Sequence, residues 1–455
     1  MKGMTIRRAV QICGGELLGR GGFDTELGKV VIDSRAVEPG DFFVAYKGER
    51  ADGHDYISAA FDRGAVCCLA QRVPEGETRP ILLVPDVQAA LEQICAEYRR
   101  DLRLPVIGIP GSVGKTSAKE MISAVLSQRL NVLKTDKNLN NQIGVPMTIS
   151  RIRPEHQAAV VEMGISGFGE MSCLAQIARP DMAVFTLIGH AHLEFLHDLD
   201  GVLKAKTEML DYMADDAPVV INGDDEKLRG LKCRQRKISF GLGGNCDVRA
   251  EKISHSPTGE TLCDIVWGAR RIPARINAYG QHMIYAALEG AAVGMLMGLS
   301  DGEIIRGIAA FETVGRRAAV TDTGYMTLID DSYNANPDSV KCGIDSLMKM
   351  PGRHVCILGD MLELGGGSEE MHYDVGRYAA EKGAELVLTS GALSAHTCRG
   401  AGERGLHFDT REELVQALPG LIKKGDAVLV KASLGSRFDR ISEALKALNV
   451  ETQRR

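Results

Sequence analysis

Gly108-Ile109-Pro110-Gly111-Ser112-Val113-Gly114-Lys115-Thr116-Ser117 is the stretch on which the fold turns. It follows the apolar run Leu104-Pro105-Val106-Ile107 and opens a helical pattern from Ala118 to Leu126, so a buried strand feeds a glycine loop that starts a helix. Glycines let backbone N–H groups turn inward around phosphate oxygens, and the helix N-terminus adds positive potential. In that setting Gly111, Ser112, Val113, Gly114, Lys115, Thr116 and Ser117 are the nucleotide-binding segment. Lys115 reaches the β- and γ-phosphates and Thr116 ligates Mg²⁺. The strict pattern GxxxxGK[ST] is not met, because position 109 is Ile, and the strand–loop–helix context carries the reading instead.

Such a loop needs a second metal ligand on a neighbouring strand. Ala158-Ala159-Val160-Val161-Glu162 is an apolar run ending in a carboxylate, as required. Guanine specificity is disfavoured, since Thr135-Asp136-Lys137-Asn138 has the wrong order for Asn-Lys-x-Asp, and no protein-kinase signature occurs. Outward from the loop, short apolar strands alternate with helical stretches almost throughout, the pattern of an α/β chain with a mostly parallel sheet. Residues 236–278 instead alternate apolar and polar positions and suggest an antiparallel annex; helical stretches at 281–298 and 301–311 follow. The expected organisation is three domains, 1–84, 85–312 and 313–455, with no internal repeat and no low-complexity segment.

The composition agrees: 455 residues, at roughly 150 per domain, allow about three cores. Lys and Arg number 54 against 60 Asp and Glu, a net charge of −6, which argues against duplex nucleic acid or an anionic membrane as main partner. Aromatics are only 5% with a single Trp267, too few for a single-strand stacking platform. The eleven cysteines are odd in number, scattered, never in a CxxC and mostly in apolar runs, so they read as reduced core residues. No signal core is found, and the longest apolar candidate, Ala286 to Leu299, is broken by Glu289 and three glycines. A cytoplasmic protein without membrane insertion is expected.

Further motifs occur in order: Asn138-Leu-Asn-Asn-Gln-Ile-Gly-Val-Pro146, Glu162-Met-Gly, Ala191-His192-Leu-Glu194, Lys204-Ala-Lys206, Asn222-Gly-Asp-Asp, Asp330-Asp-Ser-Tyr-Asn-Ala-Asn-Pro337 and Gly359-Asp-Met-Leu-Glu-Leu-Gly365. With the glycine loop they resemble the Mur ligases of peptidoglycan synthesis over the whole chain. The resemblance implies a UDP-sugar-binding N-terminal domain, a central ATPase domain and a C-terminal Rossmann-like domain. In the first block, Asp33-Ser34-Arg35 and Lys47 to Asp55 match the family's UDP-sugar segment, which implies Ser34, Arg35, Lys47, Asp52 and His54 as substrate-binding residues. The pattern lies closest to the branch that joins D-alanyl-D-alanine to UDP-MurNAc-tripeptide with ATP. The sister branch that adds the diamino residue usually carries Tyr-Ala-His-x-Pro-Asp where this chain has Tyr333-Asn-Ala-Asn-Pro-Asp338, and its Asp-Asn-Pro-Arg loop is missing here. That sister, a paralogue with another acceptor, and a nucleotide switch without ligase chemistry are the alternatives.

A carboxylate is a poor electrophile, so ATP must first convert it to an acyl phosphate, and the site must neutralise converging anions. Chemistry and resemblance together assign Lys115 to the phosphates, Thr116 and Glu162 to one Mg²⁺, and His192 to a second, with His190 the neighbouring alternative. Arg316, Asp331 and Asn334 would reach the nucleotide from the C-terminal domain, so closure would complete the site. Lys206 is read from its own pattern too. On a helix from Gly201 to Met213 it shares the apolar stripe of Val202, Met209 and Met213, while Lys204 falls beside Glu208 on the polar face. Burial would give an unprotonated amine able to take up CO₂, and the carbamate would be an oxygen ligand for Mg²⁺. The resemblance points to the same lysine. Leu187, Ala286, Pro110 and Leu434 depart from the family's usual residues; Ala286 weakens adenine contacts, and Leu434 the dipeptide pocket. A monomer is expected.

Overall fold

Three sheets carry the chain, and each is built around apolar strands whose side chains are buried on both faces. The computed structural model describes residues 1–20, 22–49, 51–255, 260–277, 280–313 and 315–452. The first sheet orders its strands Glu16–Leu18, Ile81–Leu83, Cys67–Ala70, Phe42–Val44 and Val30–Val31, with all pairs parallel except the first. The long helix Val87–Asp101 follows it, capped by the Asp86 side chain, and packs against both the first block and the helices of the middle one.

The middle sheet has nine strands. Its centre sets Val106–Ile109 between Ala158–Glu162 and Met182–Phe185, all parallel. The antiparallel annex expected over 236–278 is found in its later part, as a continuation of this same sheet. Arg236–Gly241 pairs in parallel with Pro218–Asn222 and at its end with Val248–His255, after which Val248–His255, Thr261–Trp267 and Arg270–Ile276 pair antiparallel in succession. Alternating polarity there marks strands with one solvated face, the usual pattern of antiparallel pairing. The helices Lys115–Leu126, Gln281–Leu296 and Asp301–Ala309 cover the other face as one packed group.

The third sheet orders Ala319–Asp322, Thr327–Asp331, Ala427–Lys431, His354–Gly359, Leu386–Ser390 and Gly405–Phe408, parallel apart from the first pair. Its helices lie on both faces over two apolar clusters. All eleven cysteines are free. Among the described residues no helix is long and apolar enough to cross a membrane.

Candidate active site

Strand register places the chemistry. Ile109 pairs with Glu162 across adjacent parallel strands, so the glycine loop and the carboxylate leave the sheet side by side at its C-terminal edge, where open α/β sheets bind ligands. The loop is folded by its neighbours. Ser112 N donates to Leu187 O at 2.8 Å, Ser112 Oγ to Gly189 O at 3.1 Å, and Thr186 Oγ1 to Val113 O at 2.5 Å. Gly111 is required by close approach, since a Cβ there would sit 2.0 Å from Thr186 Oγ1. Leu187 thus serves through its backbone, whatever its side chain.

Gly114, at a positive φ of 89°, starts the helix Lys115–Leu126. Lys115 Nζ donates to Gly111 O at 2.7 Å. Thr116 Oγ1 donates to Glu162 Oε2 at 2.9 Å, and Asn140 Nδ2 to Glu162 Oε1 at 2.8 Å. Thr116 and Glu162 therefore meet as their spacing predicts, with Asn140 as a partner that sequence spacing alone did not single out. Oxygen donors from a hydroxyl and a carboxylate at the foot of a phosphate loop are the set a hard dication takes. Among the described residues no group of three or more His, Cys, Asp or Glu side chains could hold a metal by itself.

Lys206 is 1% exposed on the helix Leu199–Thr207, with Val202 and Met209 buried on the same stripe. Burial, and then the charge of Lys115, push its ammonium well below the ordinary lysine range, with Glu170 opposing. The continuous helix expected to Met213 instead tightens into a 3₁₀ turn at Glu208–Tyr212, which keeps Met209 inside. Lys204 is exposed as expected, but its ammonium lies 5.8 Å from the Phe168 ring centroid. Glu208 does not pair with it, because its carboxylate accepts from Gly169 N, Ser172 N and Ser172 Oγ.

His192 stands in a left-handed conformation, φ 56°, at the start of Leu193–Leu196. Burial, then the charge of Lys206, lower its pKa, with Lys115 adding a smaller push and Glu363 opposing. Its Nδ1 lies 2.5 Å from Glu363 Oε2 of the third domain. His190 is held likewise by Asp338, whose Oδ2 accepts from His190 N at 2.7 Å and lies 3.0 Å from Nδ1.

Arg316 turns away to Asp439 at 3.4 Å. The neighbouring Arg317 lines a small cavity with Thr116, Ser117, Glu120, Phe311 and Thr313, and stacks on Tyr333 at 4.0 Å. Two adjacent arginines give no sequence signal of which one faces in. Asp331 ion-pairs with buried Lys431, whose Nζ also donates to Asn334 O at 3.0 Å. Sequence spacing does not single out Lys431, because its place beside Asp331 arises only when the strands Thr327–Asp331 and Ala427–Lys431 pair. Ala286 packs into the core below, and Leu434 is half-exposed.

In the first domain, Ser34 caps no helix and Arg35 pairs with its own neighbour Asp33 on the surface. Lys47 and Asp52 face each other across a short bridge. His54 is buried, with Nδ1 2.6 Å from Asp52 Oδ1 and Nε2 accepting from Gln71 N at 3.0 Å. Both its ring nitrogens are thus used inside the protein, where they shape the loop that carries Lys47 and Asp52.

This geometry has known counterparts. Residues 109–294 match the Mur ligase middle domain, 315–434 the Mur ligase glutamate ligase domain, and 26–100 the Mur ligase family catalytic domain. The UDP-N-acetylmuramoyl-tripeptide--D-alanyl-D-alanine ligase of Bacillus subtilis is 33% identical over 97% of this chain and 98% of its own. A crystal structure of MurF from Acinetobacter baumannii superposes with a TM-score of 0.90 at 28% identity, covering 97% of this chain and 98% of that one. MurF ligase from Thermotoga maritima in complex with ADP does so at 0.83 and 27% identity, covering 93% and 98%.

Proposed function

The chain belongs to the Mur ligase family, and from that premise we propose that it joins D-alanyl-D-alanine to UDP-MurNAc-tripeptide, with ATP cleaved to ADP and phosphate. The observation that carries the reading is the convergence of Lys115, Lys206 and His192 beside the Thr116–Glu162 pair. A nucleotide switch has no use for a buried, readily deprotonated lysine beside its phosphate lysine, whereas carboxylate activation can use one, as a carbamate, to supply oxygen donors to the cation.

The tripeptide's terminal carboxylate oxygen attacks the γ-phosphorus, and the bond to the β-bridging oxygen breaks to release ADP. The dipeptide amine then attacks the acyl carbon, and phosphate leaves with the carboxylate's oxygen. Lys115 neutralises charge on the transferring group, and Arg316, Asp331 and Asn334 would take the nucleotide side from the third domain, with Arg317 and Lys431 beside them. Thr116 and Glu162 would hold Mg²⁺ and His192 a second, where the metal supplies charge stabilisation on the phosphoryl oxygens. Lys206 as an ammonium is no ligand. Buried on its stripe, it is suited to the carbamate, which supplies the missing oxygen donors. Ser34, Arg35, Lys47 and Asp52 would take the UDP-sugar, with His54 setting their loop. We place the domain limits at 84/85 and 312/313, between the sheets. UDP- and ATP-linked substrates put the reaction in the cytoplasm, and one chain supplies every assigned group, so the monomer is the working unit.

The direct test is phosphate release by the purified protein with each substrate withheld in turn. Release that needs the UDP-tripeptide and D-alanyl-D-alanine together is expected. Release indifferent to both would leave only a nucleotide hydrolase.

A further inference from the structure

The loop 189–194 of the middle domain is seated between two carboxylates of the third. Asp338, in the first turn of the helix Pro337–Leu347, grips His190 through its backbone N–H and ring, and stands so near that a Cβ on Gly189 would meet its Oδ2 at 2.5 Å. Glu363 grips His192 Nδ1 at 2.5 Å, and its carbonyl accepts from Glu194 N at 3.3 Å. A cleft of about 760 Å³ opens beside this contact, lined from both domains by Leu193, His197, Leu362 and Leu393 among others.

Glu363 is not a casual surface partner. It and His192 both hold left-handed backbones, φ 62° and 56°, a conformation that costs non-glycine residues and persists where the surroundings fix it. Its loop is pinned at three points. His372, fully buried, accepts from Met361 N through Nε2 and donates from Nδ1 to Ser368 O; Leu362 N donates to Ser433 Oγ at 3.0 Å; and Asp360 Oδ1 accepts from Ser394 N at 2.7 Å. The pair itself is partly exposed, and exposed pairs add little stability. What the contact does give is orientation. A carboxylate only accepts, so the hydrogen sits on Nδ1, and Nε2 keeps its lone pair. No hydrogen bond to Nε2 is made among the described residues.

We infer that Glu363 is a positioning residue: reaching from the third domain, it fixes His192 in the Nδ1–H tautomer with Nε2 presented to the cation site. This rests on the reading of His192 as a Mg²⁺ ligand. Partners of this kind commonly set the tautomer and aim of a ligating histidine. Here the partner belongs to another domain, so the ligand is correctly aimed only while the two domains are apposed. Domain closure and cation binding then become linked, each favouring the other.

The test uses the full chain labelled with ¹⁵N-histidine, whose long-range ¹H–¹⁵N spectra report each ring's tautomer, with His192 assigned by its loss in His192→Gln. In metal-free protein the wild type should show His192 as Nδ1–H. Glu363→Ala should shift it toward Nε2–H, and Glu363→Gln, whose amide oxygen still accepts, should restore Nδ1–H. Mn²⁺ titration followed by electron paramagnetic resonance, with a non-hydrolysable ATP analogue present, should show affinity about 10-fold weaker in Glu363→Ala and largely recovered in Glu363→Gln. A wild-type tautomer in Glu363→Ala overturns the proposal whatever the metal does. A switched tautomer with unchanged Mn²⁺ affinity overturns its link to the cation. Neither outcome depends on ligation, so a failure of the ligase reading would appear separately, as phosphate release that ignores the UDP-tripeptide and the dipeptide.

Discussion

A buried lysine either meets a negative partner or gives up its proton. Lys115 is such a case: burial depresses its pKa, and Glu162 only partly offsets the effect. Lys115→Ala should cut turnover by ~10²-fold or more with the fold intact, as measured by steady-state phosphate release and circular dichroism. Near-normal turnover would remove Lys115 from the mechanism. Lys206→Ala should abolish ligation, with acetate or formate restoring part of it by supplying carboxylate oxygens; full activity without them would end the carbamate reading. Gly111→Ala drives a Cβ onto a Thr186 hydroxyl already bonded to Val113 O, so ADP affinity by calorimetry should fall about 10-fold, some 1.4 kcal/mol. The sequence showed Lys115, Thr116, Glu162 and Lys206 because each lies at a fixed offset within a strand, loop or helix. Arg317, Lys431, Asn140 and Glu363 were not legible in the same way. Their partners are chosen when separate strands and domains come together, and no local spacing records that choice.

At the scale of elements, the helix Lys115–Leu126 is held by glycines on its neighbours. A Cβ on Gly307 would lie 2.4 Å from Val125 Cα, and one on Gly290 would lie 2.8 Å from Met121 Cγ. Gly307→Ala therefore pushes on backbone, and it should cost about 1–3 kcal/mol by urea unfolding; an unchanged midpoint would mean the helices are not packed this closely. On Gln281–Leu296, Glu289 is buried without a hydrogen bond or ion pair among the described residues, and burial pushes its carboxyl well above the ordinary 4.5. The folded chain then keeps a proton that the unfolded chain gives up. Stability from this group is whole below about pH 4.5 and falls as pH rises toward the folded value. Glu289→Gln should remove that fall, visible as a flatter stability profile across roughly pH 5–7. Identical profiles would contradict it. The helices and central strands were legible because their apolar runs were long. The strands Glu16–Leu18, Val30–Val31 and Gly405–Phe408 have at most four residues, too few to show a period, whereas alternation over 248–276 marks the antiparallel strands, and only the parallel pairing of Arg236–Gly241 escapes it.

For the whole molecule, the assigned groups divide by domain: UDP-sugar residues in the first, phosphate and cation residues in the second, nucleotide-side charges in the third. Binding both ligands should draw the domains together, so small-angle scattering should show a smaller radius of gyration with ATP analogue plus UDP-tripeptide than with neither. Superimposable profiles would mean a preformed site. The three-domain order was legible because each domain opens with its own βα rhythm, whereas the mutual seating of loop 189–194 and Glu363 belongs to no single domain's sequence. In the proposed ligation the tripeptide carboxylate is phosphorylated before the amine attacks. Turnover of UDP-MurNAc-tripeptide carrying ¹⁸O in its terminal carboxylate, with ATP and D-alanyl-D-alanine, tests this directly. One ¹⁸O is expected in each phosphate released, formed only when all three substrates are present. Phosphate without the label would contradict it.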